Sequence, residues 1–173
     1  MLYRQQYGFV WRVLRSLGVP AASTDDACQD VFMVVHRRIQ DFDGRGAIRS
    51  WLYGIARNVA KRSATKHALR NSRERGSDPG NEALGATHER PEDYDRRIDA
   101  NEFVARFLAT LKPSQRAVFV AAEIEGMTAP EIRDAMGGSL DTVYSRLRLA
   151  RRHFATARQR YHAREQGTER RHG

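Results

Sequence analysis

The sequence predicts an all-α protein of two small helical domains, one of three helices and one of four, joined by a flexible linker. Apolar residues recur every three or four positions through most of the 173 residues, and no stretch shows a convincing two-residue strand alternation. This period is lost over residues 71–96, which are rich in Ser, Gly, Pro, Asn and acidic residues. The predicted organisation is a first domain over 1–70, a linker over 71–96, a second domain over 97–165 and a polar tail over 166–173.

The first predicted domain contains three amphipathic helices. The first helix covers residues 2–17 and ends at Gly18. The second runs to about Ile39, and the third begins at Arg49 or Ser50. Three polar residues are suitable N-caps for the second helix: Ser23, Thr24 and Asp25. The residues expected in the core are Phe9, Val10, Val13, Leu14 and Leu17, then Ala27, Val31, Val34, Val35 and Ile39, then Trp51, Leu52, Ile55, Ala56, Val59 and Ala60.

The second predicted domain contains four helices. Its helical period resumes at Arg97 and is broken at Lys112 and Pro113. Ser114 is a suitable cap for the helix that follows. The core residues expected on these two helices are Ile98, Phe103, Val104, Phe107, Leu108 and Leu111, then Val118, Phe119, Val120 and Ile124.

A helix-turn-helix pattern follows in residues 126–152. Thr128 and Glu131 have the spacing of a capping box, which predicts that a helix opens there. Gly137 and Gly138 are expected to end that helix, because glycine adopts a positive φ without steric cost. Two residues are suitable caps for the next helix: Asp141 and Thr142.

The second helix of this pattern has an apolar face and a basic face. Its expected buried stripe consists of Val143, Leu147 and Ala150. Its outward side chains are Tyr144, Ser145, Arg146, Arg148, Arg151 and Arg152. Such a helix suits the major groove of DNA, where arginine and hydroxyl groups reach base edges and phosphates. An ordinary helical hairpin with solvated arginines is the alternative interpretation.

The charge of the chain is unevenly distributed. The formal net charge is +9 and the isoelectric point is near 10.4, which favours a polyanionic partner. Residues 1–70 hold 12 Lys/Arg and 5 Asp/Glu, residues 71–97 hold 5 and 7, and residues 98–173 hold 13 and 9. From Arg49 to Arg70 there are six basic residues and no acidic residue, so we expect this helix to face phosphates.

Composition argues against several other classes of protein. The single Cys28 excludes an internal disulfide and a CxxC metal site, and it is either a small buried residue or a surface thiol. The six histidines are scattered without metal-ligand spacing, and no phosphate-binding glycine loop is present. No apolar run has the length of a membrane span, and the first residues do not form a signal peptide. We therefore expect a cytoplasmic protein that is not an enzyme, with no cofactor, no metal and no small-molecule substrate.

The ordered motifs resemble those of bacterial RNA polymerase sigma factors of the extracytoplasmic-function (ECF) group in the sigma-70 family. Residues 25–32 (DDACQDVF) resemble the core-binding motif of that family. Residues 41–46 and 50–58 resemble its −10 loop and helix. Residues 111–119, followed by the helix-turn-helix, resemble its −35-reading domain. The similarity covers nearly the whole chain outside the linker, with a sigma-2-like first domain and a sigma-4-like second domain.

This resemblance implies a promoter-specificity subunit that binds core RNA polymerase, recognises −35 and −10 elements and promotes strand opening. The implied partners are the β′ and β subunits, promoter DNA and an anti-sigma factor. The residues implied in core-polymerase binding, on the coiled coil of β′, are Asp26, Gln29 and Asp30. Those implied at the −10 element are Phe42, Arg45, Asn58, Arg57, Lys61 and Arg62. Those implied at the −35 element are Thr142, Tyr144, Ser145, Arg146, Arg148 and Arg152.

Several of these assignments have alternatives. Acidic residues early in a helix also interact favourably with the helix dipole, without any docking role. Phe42 either shapes a pocket for a flipped base or acts as a hydrophobic plug, whereas Trp51 is expected in the core. Leu149 stands where relatives often have a basic residue, which predicts a different −35 preference. The first helix also begins with fewer residues than in relatives, so either the chain is naturally short or its true start lies upstream.

Two other functional classes compete with the sigma-factor hypothesis. A stand-alone helix-turn-helix transcription regulator would bind DNA without docking on polymerase. It would need neither the acidic surface over residues 25–30 nor the loop and helix over 42–58. An RNA-processing or hydrolytic enzyme would need converging acids, histidines or metal ligands, and the sequence offers no such group.

Overall fold

The computed structural model describes residues 2–42, 44, 47–74 and 92–169. This part of the chain is helical and contains no strand, with three α-helices before the predicted linker and four after it, as predicted. The helices are α1 (Leu2–Ser16), α2 (Ala21–Arg38), α3 (Ile48–Glu74), α4 (Glu92–Thr110), α5 (Pro113–Phe119), α6 (Ala129–Met136) and α7 (Leu140–Glu169). A short 3₁₀ helix covers Ile39–Asp41, and a π-helical turn covers Val120–Ile124.

Helices α1, α2 and α3 pack together as the first lobe, residues 2–74. Its core was predicted closely, since the buried apolar residues on all three helices come from the predicted stripes. The predicted caps of α2 were wrong. The helix begins one turn earlier, with Pro20 at the N-cap (φ −58°) and no side-chain cap. The buried Thr24 instead donates its hydroxyl hydrogen to the carbonyl of Pro20 at 2.8 Å.

Two predicted core residues are exposed because the helices they follow change pitch. Ile39 is 41% exposed, since α2 ends at Arg38 and the chain tightens into the 3₁₀ helix. Ile124 is 40% exposed and is the last residue of the π-helical turn, whose wider winding rotates it away from the apolar stripe. The sequence carried no signal for either departure from the α-helical period.

The second lobe, residues 92–169, is centred on an aromatic cluster. The ring centroids of Phe107 and Phe154 are 5.0 Å apart in an edge-to-face arrangement, and those of Phe103 and Tyr161 are 4.8 Å apart. Helix α5 begins at Pro113 with Lys112 at the N-cap. Ser114 is therefore not the cap that was predicted, because proline is preorganised for the first helical position.

The helices extend into the predicted linker from both sides. Helix α3 continues to Glu74 and α4 begins at Glu92, so the flanks of the 71–96 segment are helical. The remainder of that segment lies outside the described residues, as do Arg45 and the end of the predicted tail.

The helix-turn-helix has the predicted first helix and turn. Thr128 and Glu131 form the capping box: the Glu131 amide donates to the Thr128 hydroxyl oxygen at 3.4 Å, and the Thr128 amide donates to the Glu131 carboxylate at 2.8 Å. Gly137 and Gly138 have φ angles of 73° and 99°, which side chains disfavour. The three residues predicted to be buried on α7 are Val143, Leu147 and Ala150, and all are buried.

The cap of α7 differs from the prediction. The Thr142 amide donates to the hydroxyl oxygen of Ser139 at 3.1 Å, and Ser139 directly precedes the first helical residue. Ser139 is therefore the residue that caps α7, and Asp141 and Thr142 lie inside its first turn.

The two lobes share one continuous hydrophobic core, which the sequence did not predict. Helix α3 of the first lobe packs along α6 of the second. Within the described ranges, no helix is both long enough and apolar enough to cross a membrane.

Replacing Thr128 with alanine is expected to lower the free energy of unfolding by about 1 kcal/mol, because α6 loses both halves of its capping box. Urea unfolding followed by circular dichroism measures this change. Thr128→Ser is the matched control, since serine keeps the hydroxyl group. Equal unfolding free energies for the alanine and serine variants would contradict a stabilising role of the cap.

Candidate nucleic-acid interface

The candidate polymerase-docking residues lie together on α2. The three predicted residues, Asp26, Gln29 and Asp30, are all exposed. Asp26 and Asp30 line a groove of about 420 Å³ between α2 and α3, which Arg62 and Lys66 line from α3. The acidic surface of α2 and the basic surface of α3 therefore adjoin across one groove.

Asp25 differs from its acidic neighbours because it is engaged within the first lobe. The hydroxyl of Tyr7 donates to its carboxylate at 2.9 Å. This hydrogen bond is the main reason that the pKa of Tyr7 is raised to about 12. Asp25 thus joins α1 to α2.

An exposed aromatic edge lies beside the acidic surface, and the sequence analysis did not identify it. Tyr3 of α1 packs on Phe32 of α2 with ring centroids 4.6 Å apart. Tyr3, Phe32 and Gln29 also line one shallow depression together with Met33, which is half exposed. Helical spacing placed Phe32 near the acidic residues, but it did not indicate that α1 would lie alongside.

The candidate −10 residues surround a cavity of about 500 Å³ at the end of the first lobe. Phe42 packs on Trp51 with ring centroids 5.5 Å apart, and both rings are half-buried. Trp51 also packs against the core, as expected. Asn58 is exposed and lines the same cavity. The rim of the cavity thus combines aromatic surface with an amide that can donate and accept hydrogen bonds.

The other wall of this cavity belongs to the second lobe. Glu131, Asp134 and Ala135 of α6 line it opposite Phe42 and Asn58. Hydrogen bonds from the Thr128 backbone and hydroxyl lower the pKa of Glu131, so its carboxylate stays ionised at neutral pH. A cavity with the residue types for binding a base therefore carries two carboxylates that repel phosphate.

The basic side chains of α3 continue along the helix from this cavity. Lys61 and Arg62 are exposed, and Arg57 is half-buried. Arg45, the remaining predicted −10 residue, lies outside the described residues.

The candidate −35 residues lie at the amino-terminal half of α7. Four of them are exposed: Tyr144, Ser145, Arg148 and Arg152. Tyr144 is 56% exposed, which is a high value for a tyrosine with no partner helix. Thr142 and Arg146 are half-buried. Leu149, where a basic residue is common in relatives, is exposed between Arg148 and Ala150.

Arg151 is held by an ion pair that links α7 to the end of the π-helical turn. Its guanidinium group donates to the Glu123 carboxylate at 2.7 and 2.8 Å. The pair is partly exposed, so it contributes little stability, but it orients Arg151 away from the free basic surface of α7.

The residues at the contact between the lobes were missed by the sequence analysis. Tyr53 is fully buried and donates its hydroxyl hydrogen to the Ala117 carbonyl at 2.6 Å. Gly54, beside it, lies against the carbonyl of Ala135. Both residues read as ordinary members of the α3 stripe, because a contact 60 or more positions away leaves no local pattern.

The described residues contain no group of three His, Cys, Asp or Glu side chains that could hold a metal ion. Cys28 is buried, which raises the pKa of its thiol to about 11. It is therefore a buried core thiol and not a surface one.

Comparison with known proteins identifies both lobes. Residues 2–70 match Sigma-70 region 2, and residues 104–154 match Sigma-70, region 4. The chain is 28% identical over 154 residues to RNA polymerase sigma factor YlaC of Bacillus subtilis, covering 87% of this chain and 86% of that protein. It is 30% identical over 138 residues to the ECF RNA polymerase sigma-E factor of Escherichia coli K12, covering 77% and 72%.

Solved structures share the fold. The sigma factor RpoE, in complex with the anti-sigma factor NepR from Bartonella quintana, superposes with a TM-score of 0.72 at 18% identity, covering 91% of this chain and 94% of that one. CnrH, in complex with the cytosolic domain of CnrY, superposes with a TM-score of 0.62 at 25% identity, covering 90% and 83%. With two matched sigma regions in order and a relative at 30% identity, this chain belongs to the ECF group of the sigma-70 family of RNA polymerase sigma factors.

Proposed function

We infer that this chain is the promoter-specificity subunit of RNA polymerase. It binds the core enzyme, recognises −35 and −10 elements and promotes the strand opening that begins transcription. The observation that carries this inference is the presence, in one chain, of an exposed acidic surface on α2 and an arginine-lined helix-turn-helix. A stand-alone DNA-binding regulator uses the second and has no need of the first.

Each domain has its own part in this function. Residues 1–70 act as the region that binds core polymerase and the −10 element, residues 97–165 read the −35 element, and 71–96 connect them. The matches to Sigma-70 regions 2 and 4 support this division. The chain acts in the cytoplasm and as a binding subunit, not as an enzyme and without a cofactor.

The acidic surface of α2 supplies the contact with polymerase. Asp26, Gln29 and Asp30 dock on the coiled coil of the β′ subunit, where their carboxylates pair with basic side chains. Their exposure supports the assignment, since an ion pair can form without first breaking contacts within the lobe.

The −10 cavity supplies a site for a base taken out of the stack. Unstacking costs a few kcal/mol, which contact with an aromatic ring and hydrogen bonds to the base edge offset. Phe42 and Asn58 offer both at one cavity. Arg57, Lys61 and Arg62, with Arg45 in the loop, hold the neighbouring phosphates.

Helix α7 supplies the −35 contacts from its amino-terminal half. Tyr144, Ser145 and Arg148 are exposed where a recognition helix reaches base edges. Thr142, Arg146 and Arg152 complete the surface by contacting phosphates or supporting those side chains.

An anti-sigma factor is the expected regulatory partner. The two solved relatives above, RpoE and CnrH, were each determined in complex with a protein of that class or its cytosolic domain. Such a partner would act on the lobes of this chain and control access to core polymerase.

Replacing Asp30 with lysine is expected to weaken core-polymerase binding, because a carboxylate in the docking surface becomes a like charge toward its basic partner. Binding of the full chain to purified core enzyme measures this effect. Asp41→Lys is the matched control, since it makes the same charge change at the far end of α2, where Asp41 pairs only with Arg38 at the surface. Equal affinities of the two variants would remove Asp30 from the docking surface, and no binding by the wild-type chain would favour a stand-alone regulator.

Replacing Arg148 with alanine is expected to relax the preference for one −35 base pair by about 1–3 kcal/mol, because a base-edge contact is lost. Affinities for a set of single-base-pair variants of the site measure this change. Arg158→Ala removes the same charge from an exposed position further along α7 and serves as control. A uniform loss of affinity on every sequence would instead make Arg148 a phosphate contact.

A further inference from the structure

The structure joins the two lobes at three points that do not involve the linker. Tyr53 of α3 inserts fully into the second lobe and donates to the Ala117 carbonyl at 2.6 Å. Gly54, the next residue of α3, meets the backbone of Ala135 in α6. In the turn after α1, Arg116 of α5 donates to the Leu17 carbonyl at 3.4 Å. Together these contacts bring α5 and α6 against the first lobe.

The approach at Gly54 is too close for any side chain. A Cβ atom built on Gly54 would lie 2.6 Å from the carbonyl oxygen of Ala135, a distance that real Cβ atoms essentially never show. The clashing atom belongs to the backbone of α6, so it cannot move aside as a flexible side chain would. Helix α3 and helix α6 touch in this way only because residue 54 is glycine.

A second set of groups is desolvated at the same junction. The Arg116 side chain is half-buried and packs over Gly18, and burial lowers the pKa of its guanidinium group. Glu125 of the second lobe is also half-buried. Burial raises the pKa of its carboxyl group, while the charges of Arg12 and Arg49 in the first lobe oppose that rise. Opposite charges of the two lobes therefore face each other at the junction.

The joined arrangement covers the −10 cavity. Phe42, Trp51 and Asn58 form one wall, and α6 forms the other with Glu131, Asp134 and Ala135. A nucleic acid strand entering this cavity would meet two carboxylates where its phosphates need cations. The −35 face of α7 remains open, since Tyr144 and Arg148 are exposed.

We propose that the free chain rests in a closed state in which its own α6 covers the −10 face of α3, and that the lobes must separate at Gly54 before single-stranded DNA can bind there. The occupant of this face is the second lobe itself, without any partner protein. The consequence for DNA binding rests on the proposed function, whereas the closure does not. Closure keeps the free subunit from engaging single-stranded DNA and leaves separation of the lobes to a later step, such as docking on core polymerase.

Replacing Gly54 with alanine tests the proposal on the full chain. Alanine is a better helix former than glycine, so α3 itself is not weakened, and the added methyl group acts only against α6. Overpacking of this kind shifts the balance toward the open state on the order of tenfold. Small-angle X-ray scattering should then show a larger radius of gyration than for the wild type. Fluorescence anisotropy should show tighter binding of a mixed-sequence single-stranded oligonucleotide.

Gly8→Ala is the matched control. Gly8 lies inside α1, and a Cβ atom there would make only an ordinary contact, 3.7 Å from the Arg12 guanidinium. The change raises helix propensity in the same lobe without touching α6. It should leave both the radius of gyration and the oligonucleotide affinity at the wild-type values.

Tyr53→Phe gives a second test in case the glycine variant does not fold. It keeps the buried ring and removes the hydrogen bond to Ala117, which should shift the same equilibrium by about 3- to 10-fold. Circular dichroism confirms that each variant keeps its helices.

Larger dimensions and tighter oligonucleotide binding for both interface variants, with neither change in Gly8→Ala, would support the proposal. Wild-type dimensions and affinity for both interface variants would overturn it. So would separated lobes with unchanged affinity, because the cavity would then not be covered by α6. If no form of the chain binds the oligonucleotide, the proposed −10 function fails, while the scattering data still decide the closure.

Discussion

The contact between α3 and α6 is the constraint on which the arrangement of this protein depends. It requires a residue without a side chain at position 54, because the Ala135 carbonyl lies where a Cβ would be. Tyr53 adds a buried hydroxyl that donates to the Ala117 carbonyl, so one helix contributes both a missing side chain and a large one to the same junction. Two domains that each have a core of their own thereby share one continuous core.

Charge gives this junction its functional meaning. The chain is strongly basic overall, yet α6 directs Glu131 and Asp134 at the cavity framed by Phe42 and Asn58. Carboxylates in that place repel the phosphates that the cationic side chains of α3 attract. The acidic surface of α2 lies on a different groove and stays exposed, as does the recognition face of α7. The surfaces assigned to polymerase and to the −35 element are therefore free while the −10 face is covered.

Local features were predictable from the sequence, and contacts between distant segments were not. Helical periodicity located all seven α-helices and most core residues, and the spacing of Thr128 and Glu131 predicted the capping box that forms. Helix starts were less predictable: Ser139, not Asp141, caps α7, since several neighbouring polar residues can serve. The π-helical turn that exposes Ile124 has no sequence signature. Motif order pointed to the site residues, but nothing local links Gly54 to Ala135.

Transcription with purified core RNA polymerase tests the central claim most directly. The template is the DNA upstream of the protein's own gene, and the product is a run-off transcript of defined length. The account predicts that core enzyme produces this transcript only when the chain is added, and that the chain copurifies with the polymerase. Specific DNA binding by the chain, with no polymerase binding and no added transcript, would contradict it and identify a stand-alone regulator instead.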